Sequence, residues 1–182
     1  NSLDVIMVAQ FLGLKATGVY TIILFLANAL QVPYKSMLRI SVPLIADYWK
    51  QRDMKEMQEL YRNFSSASLV IGLAMFLAVW LNIDFLFSFI SSDFQPGIWM
   101  FFFLMIGRLL DMYFGLNGPI FTTSKKYKFD LYFTILLIAA VFSLNLIFIP
   151  WWGISGAAIS TTIALFVYNF GRMLFVWFAF RI

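Results

Sequence analysis

Three observations predict that this chain is all-α, a polytopic bundle of about six membrane-crossing helices with no soluble domain. Of its 182 residues, 62% are hydrophobic and only 12% charged, where ordinary soluble proteins carry roughly a quarter of charged residues. The mean hydropathy of +0.85 leaves too few polar side chains to cover a water-facing surface, whereas a bilayer is a solvent that accepts such a surface. The apolar runs are long and do not alternate, which selects helices over strands, and at about 20 residues per span the length holds five or six of them.

The opening apolar segment, residues 5–14, covers only about 15 Å at the helical rise, half a bilayer. With Asn1 in place of an initiating Met, this predicts a fragment whose first span begins upstream. No basic stretch and no small-residue cleavage site precede the next span, so a signal peptide is not expected. Complete spans follow. The first covers 18–38, with Asn28 and Pro33 inside it, and its helix runs on through Pro43 toward Trp49. The next covers 64–83, with Gly72 near its middle. A third covers 96–121 and opens on Pro96 at a first-turn position, where the missing N–H is harmless. The fourth, 129–149, is ended by Pro150, and the last covers 153–180. Spans this closely spaced form antiparallel hairpins.

The loops orient the bundle. Lys50, Arg52, Lys55 and Arg62 lie on one loop and Lys125, Lys126 and Lys128 on another. Two spans separate these loops, so both lie on one side, and the chain end at Arg181 emerges there too. The other side carries Lys15, Asp84, Asp93 and the turn at Pro150, Trp151 and Trp152. The positive-inside rule makes the basic side cytoplasmic. Met54, Met57, Leu60 and Tyr61 share one helical face in the first basic loop, which predicts an interfacial helix on the inner leaflet.

Ionisable groups within spans are costly and usually face the bundle interior or an aqueous cavity. Arg108 and Asp111 lie near the middle of their span, three residues apart and hence on one face. Either Asp111 neutralises Arg108 in an internal ion pair, or Arg108 faces a cavity and meets an anionic substrate while Asp111 orients it. A guanidinium suits phosphate through its planar fork of donors. Asp111 as a proton acceptor is a further option, although no His or Glu lies in any span to continue a relay. Arg172 lies about 9 Å from the centre of the last span and either snorkels or lines the inner half of a cavity, with Asn169 one turn earlier. Lys35 and Arg39, one turn apart, either snorkel or form a cationic entrance for a lipid phosphate. Asn28, Asn117 and Asn145 are expected to hydrogen-bond between helices. Asp4 is too near the start of the chain to place. Pro33 and Pro43 can bend their helix. The small residues of 153–162 predict tight packing at the outer end of the last hairpin.

Catalytic constellations are absent from the sequence. With no Cys and no His, thiolate chemistry, imidazole bases and the commonest metal ligands are gone, and no glycine-rich phosphate loop occurs. No cofactor is expected. Nucleic-acid binding finds no support either, because the basic residues follow membrane orientation and the aromatics lie in spans.

The order of several short motifs resembles a known family. Leu12-Gly13 is followed by Gly18-x-Tyr20, then by Val42-Pro43-Leu44-Ile45-Ala46 before a basic loop, and later by the run from Leu146 to Thr162 that contains Ile149-Pro150 and Gly153-Ile154-Ser155-Gly156-Ala157-Ala158. Together these are similar to the Wzx-like oligosaccharide flippases of polysaccharide biosynthesis, within the multidrug/oligosaccharidyl-lipid/polysaccharide exporter superfamily. The resemblance implies twelve or fourteen helices in two six-helix lobes around a central cavity, and residues 1–182 as the second lobe, with the first lobe of the same protein as partner. It further implies a non-enzymatic function: alternating-access transfer of polyprenyl-pyrophosphate-linked oligosaccharides across the bacterial inner membrane, for O-antigen or capsule formation. Cationic cavity residues would then engage pyrophosphate, a role open to Arg108 and Arg172. A multidrug or toxin extruder of the same superfamily is the alternative. A membrane enzyme of glycan assembly is disfavoured by short external loops.

Overall fold

The computed structural model describes residues 2–90 and 97–180, and among these it is helical with no strand. The helices are α1 (Ser2–Ala29), α2 (Val32–Gln51), α3 (Met54–Trp80), α4 (Ile83–Ile90), α5 (Ile98–Tyr113), α6 (Asn117–Thr123) and α7 (Lys128–Phe180). Three are long and apolar enough to cross a membrane, over Leu3–Ala29, Met54–Trp80 and Lys128–Phe180. The number is four if α5 and α6, bent by 47° at their junction, count as one broken span. An all-helical bundle compatible with a membrane is therefore what the chain forms.

Two of the long helices fold back on themselves. Gly153 has φ 58° and ψ −136°, a conformation open essentially to glycine alone. The contacts on either side of it are mirror-related. The Phe148 carbonyl lies against Gly156, the Phe133 ring against Gly171, and Asp130 is bonded to Arg172 at 2.5 Å. A straight helix would hold that last pair about 60 Å apart. Residues 128–152 and 154–180 are thus the antiparallel arms of a hairpin. Gly13, with φ 83° and ψ 177°, does the same for α1. Asp4 and Tyr20 would stand about 24 Å apart along a straight helix, yet the Thr161 side chain lies beside both.

Several expected boundaries are corrected. The span at 18–38 is not continuous: α1 ends at Ala29, and α2 restarts with Pro33 in its first turn, where a proline needs no hydrogen-bonded N–H. The helix does continue through Pro43. The span at 96–121 breaks between Tyr113 and Asn117, and its expected start at Pro96 falls outside the described residues, as do Asp93 and Arg181. Pro150 does not end its helix, which continues to the break at Gly153. Residues 54–61 are no separate interfacial helix but the first turns of α3, started by the Asp53 carboxylate accepting from the Glu56 N–H at 3.1 Å. Met57 is fully buried, and Met54, Leu60 and Tyr61 pack around the same core. That apolar face turns to the protein rather than to lipid.

Two apolar cores stack along the bundle. One joins both arms of α1 to α5 and to the small residues Ala157 and Ala158 of α7. The other gathers Tyr34, Ile45, Met57, Phe64, Met112, Phe121 and Val176. α5 runs through both, so Arg108 and Asp111 fall on the stretch between Met105 of the first and Met112 of the second. The two basic turns meet at one end, where Lys50, Arg52, Lys125, Lys126 and Phe180 line a single cleft. The Gly13 and Gly153 turns lie at the other, with Leu12 Cδ1 at 3.9 Å from where a Gly153 side chain would begin.

Candidate functional site

The site is built where α5 meets the second arm of α7. Gly107 allows the approach: a side chain there would begin 3.0 Å from Thr162 Oγ1, and that hydroxyl donates to the Phe103 carbonyl at 2.7 Å. This seam sets Arg108 and Asp111 against their neighbours.

The two are not an ion pair. Among the described residues no bridge joins them. The Asp111 carboxylate accepts instead from Gln31 Nε2 and from Asn169 Nδ2, each at 3.4 Å. Gln31 is the residue just before α2, buried at the break between α1 and α2. Asp111 thus ties that break to α5 and to the last arm, while Arg108 is half-buried with its Nε buried and unbonded.

The polar chain continues. Asn117 Nδ2 donates to the Asn169 carbonyl at 3.4 Å, and Tyr61 Oη donates to Asn117 Oδ1 at 3.1 Å. Gln31, Asp111, Asn169, Asn117 and Tyr61 therefore form one line of contacts from the start of α2 through α5, α7 and α6 to α3. Asn117 takes the interhelical role expected of it. Asn28 contributes its backbone carbonyl to the Gln31 N–H at 3.1 Å.

Arg172 departs from both expectations offered for it. It neither snorkels to water nor stands open in a cavity. The guanidinium is buried, donates to Asp130 Oδ1 at 2.5 Å and to Tyr168 Oη at 2.6 Å, and sits over the rings of Tyr168 and Phe121 at 4.7 and 5.4 Å. Asp130 lies in the first turn of α7. Lys35 and Arg39 are exposed on the outer side of α2 and do not join the polar chain.

A second polar group lies deeper, around Asp4. Asn145 Nδ2 donates to Asp4 Oδ1 at 3.1 Å. Asp4 Oδ2, Asn145 Oδ1, Tyr20 Oη and Thr161 Oγ1 are all buried without a hydrogen-bond partner. Arg108 lies within electrostatic range of both Asp4 and Tyr20. The sequence leaves Asp4 unplaced, includes Tyr20 only as part of a motif, and gives Thr161, Gln31 and Asp130 no role of their own. An acid and a glutamine within otherwise apolar runs were the available signals for two of them.

No known family, curated protein or solved structure matches the chain.

Proposed function

We propose that this chain is the second lobe of a flippase that moves polyprenyl-pyrophosphate-linked oligosaccharides from the cytoplasmic to the external leaflet of the bacterial inner membrane. In this reading the two arms of α1 (the first of them partial), α3, the α5–α6 pair and the two arms of α7 are six passes through the bilayer. The observation that carries it is Arg108, half-buried beside a carboxylate that is already engaged by Gln31 and Asn169. A guanidinium that forms no ion pair with the carboxylate one turn away is a countercharge for an anion. Pyrophosphate needs such a countercharge, because it cannot enter hydrocarbon unpaired.

The lipid tail of the substrate stays in the bilayer while the head group passes between two lobes that open alternately. Asn169, on the same arm as Arg172 and bonded to Asp111, couples the last hairpin to the helix that carries Arg108. Arg172 would serve the substrate only in a state where Asp130 releases it.

A second reading, extrusion of cationic drugs or toxins, gains from Asp4. This buried carboxylate, with unbonded oxygens around it, offers a cation the partner that the Asp111 network does not. The two readings separate in one experiment. The parent protein is expressed in a strain lacking its glycan flippase, and surface glycan and drug resistance are both scored. Restored glycan supports the flippase, and drug resistance without glycan replaces it with the extruder.

A further inference from the structure

The end of the bundle where the basic turns meet holds a cleft of about 590 Å³ between the end of α2, the start of α3, the turn before α7 and the last turn of α7. Lys50, Arg52, Lys125 and Lys126 line it and no acidic residue does. Asp47 pairs with Lys50 at 3.6 Å, which leaves Arg52, Lys125 and Lys126 as the rim charges without an ion pair among the described residues, and the Asp53 carboxylate caps α3. The floor is apolar, made by Trp49, Met54 and Phe180, with the Trp49 and Phe180 rings edge to face at 4.9 Å. Lys126 Nζ lies 5.4 and 5.6 Å from the Phe180 and Phe175 ring centres, so that charge is fixed over the floor. Trp49 Nε1 is buried and has no hydrogen-bond acceptor.

We infer that this cleft binds the head group of an anionic phospholipid such as phosphatidylglycerol. A cationic rim above an aromatic floor, at the level where apolar helices end, matches an amphiphile whose phosphate lies at the interface and whose chains lie below it. The basic residues receive the phosphate, Trp49 Nε1 supplies a neutral donor, and the exposed Trp177 and Phe178 on the last turns of α7 continue the apolar surface along which the chains run. A soluble phosphate would gain nothing from that floor, and this selects the lipid. The inference rests only on the chain being a membrane protein, so a failed glycan assay leaves it standing.

The test is lipid retention by the purified 182-residue chain in neutral detergent, measured by native mass spectrometry with phosphatidylglycerol and phosphatidylcholine offered together. Phosphatidylglycerol is retained preferentially. Lys125→Ala with Lys126→Ala, both at exposed positions, lowers that preference by about tenfold or more. Lys55→Ala with Arg62→Ala, exposed on α3 and outside the cleft, removes the same charge at the same end of the bundle and leaves it unchanged. Trp49→Phe, which removes only the donor, gives a smaller loss. Equal loss in the two double variants would show diffuse attraction and overturn the site. Displacement of the lipid by millimolar glycerol phosphate would make it a free-phosphate site and overturn the lipid assignment.

Discussion

Arg172 and Asp130 close the open end of the α7 hairpin, guanidinium to carboxylate at 2.5 Å across 42 residues of chain. The arginine side chain is 8% exposed and the aspartate 23%, so the pair is shielded from solvent but not sealed. Removing one member of such a pair leaves an uncompensated charge and costs about 3 kcal/mol, while replacing both costs much less. Arg172→Leu is expected to lower the thermal unfolding temperature in detergent clearly, and Arg172→Leu with Asp130→Leu to recover most of the loss. Arg172→Lys recovers little, since a single ammonium does not reproduce the fork that serves Asp130 and Tyr168 together. A double variant as unstable as the single one would show that the pair is incidental.

Glycines in this chain are not equivalent, and three substitutions separate them. A side chain on Gly156 would begin 2.0 Å from the Phe148 carbonyl oxygen, a backbone atom that cannot move aside, so Gly156→Ala should open the hairpin tip. Gly153→Ala places a side chain at φ 58° and ψ −136° and costs about 1–3 kcal/mol. Gly18 lies in a helix with nothing within 4 Å, and Gly18→Ala should stabilise by about 0.5–1 kcal/mol. Chemical unfolding in mixed micelles ranks the three.

For Arg108 the prediction follows from its missing partner. If the chain is a lobe of the proposed flippase, Arg108→Ala in the two-lobed protein is expected to abolish glycan transfer and Arg108→Lys to keep part of it, because charge survives but the planar donor fork does not. Since Asp111 is held by Gln31 and Asn169, Arg108→Leu combined with Asp111→Leu should be no more active than Arg108→Leu alone. Rescue in the double variant would reinstate an internal ion pair and remove the substrate role.

Sidedness is testable without background, because the chain contains no cysteine. Cysteines placed at Arg52 and Lys126 should react with an impermeant maleimide only from the cytoplasmic side, and one at Trp152 only from outside. Opposite reactivity of positions 52 and 126 would contradict their shared cleft.

The helical class was legible because apolar runs of this length leave the backbone no alternative. The meeting of the two basic turns at one end was also legible, since charges that cannot enter hydrocarbon report where helices end. Breaks were harder to see. Pro150 looks like a terminator, yet the turn waits three residues for Gly153, because a proline can be carried by a helix whereas the reversal needs a glycine-only backbone. Pro33 looks like a kink, yet it starts a helix. Of the candidate residues, Asn117 and Asn145 behaved as interhelical donors. The partner of Asp111 was not legible, since Gln31 is 80 residues away and periodicity relates only neighbours on one helix. Arg172 misled for the same reason, as its acid lies on the opposite arm.

The mirror symmetry of the α7 arms about Gly153 has a consequence for biosynthesis. Asp130 is made at the beginning of the hairpin and Arg172 near its end, so neither charge has its counterion until the second arm has been synthesised almost completely. The uncharged turn at Trp151 and Trp152 can cross the bilayer at little electrostatic cost. The ion pair that closes the arms can therefore form only once residue 172 has been made, when nearly all of the hairpin already exists.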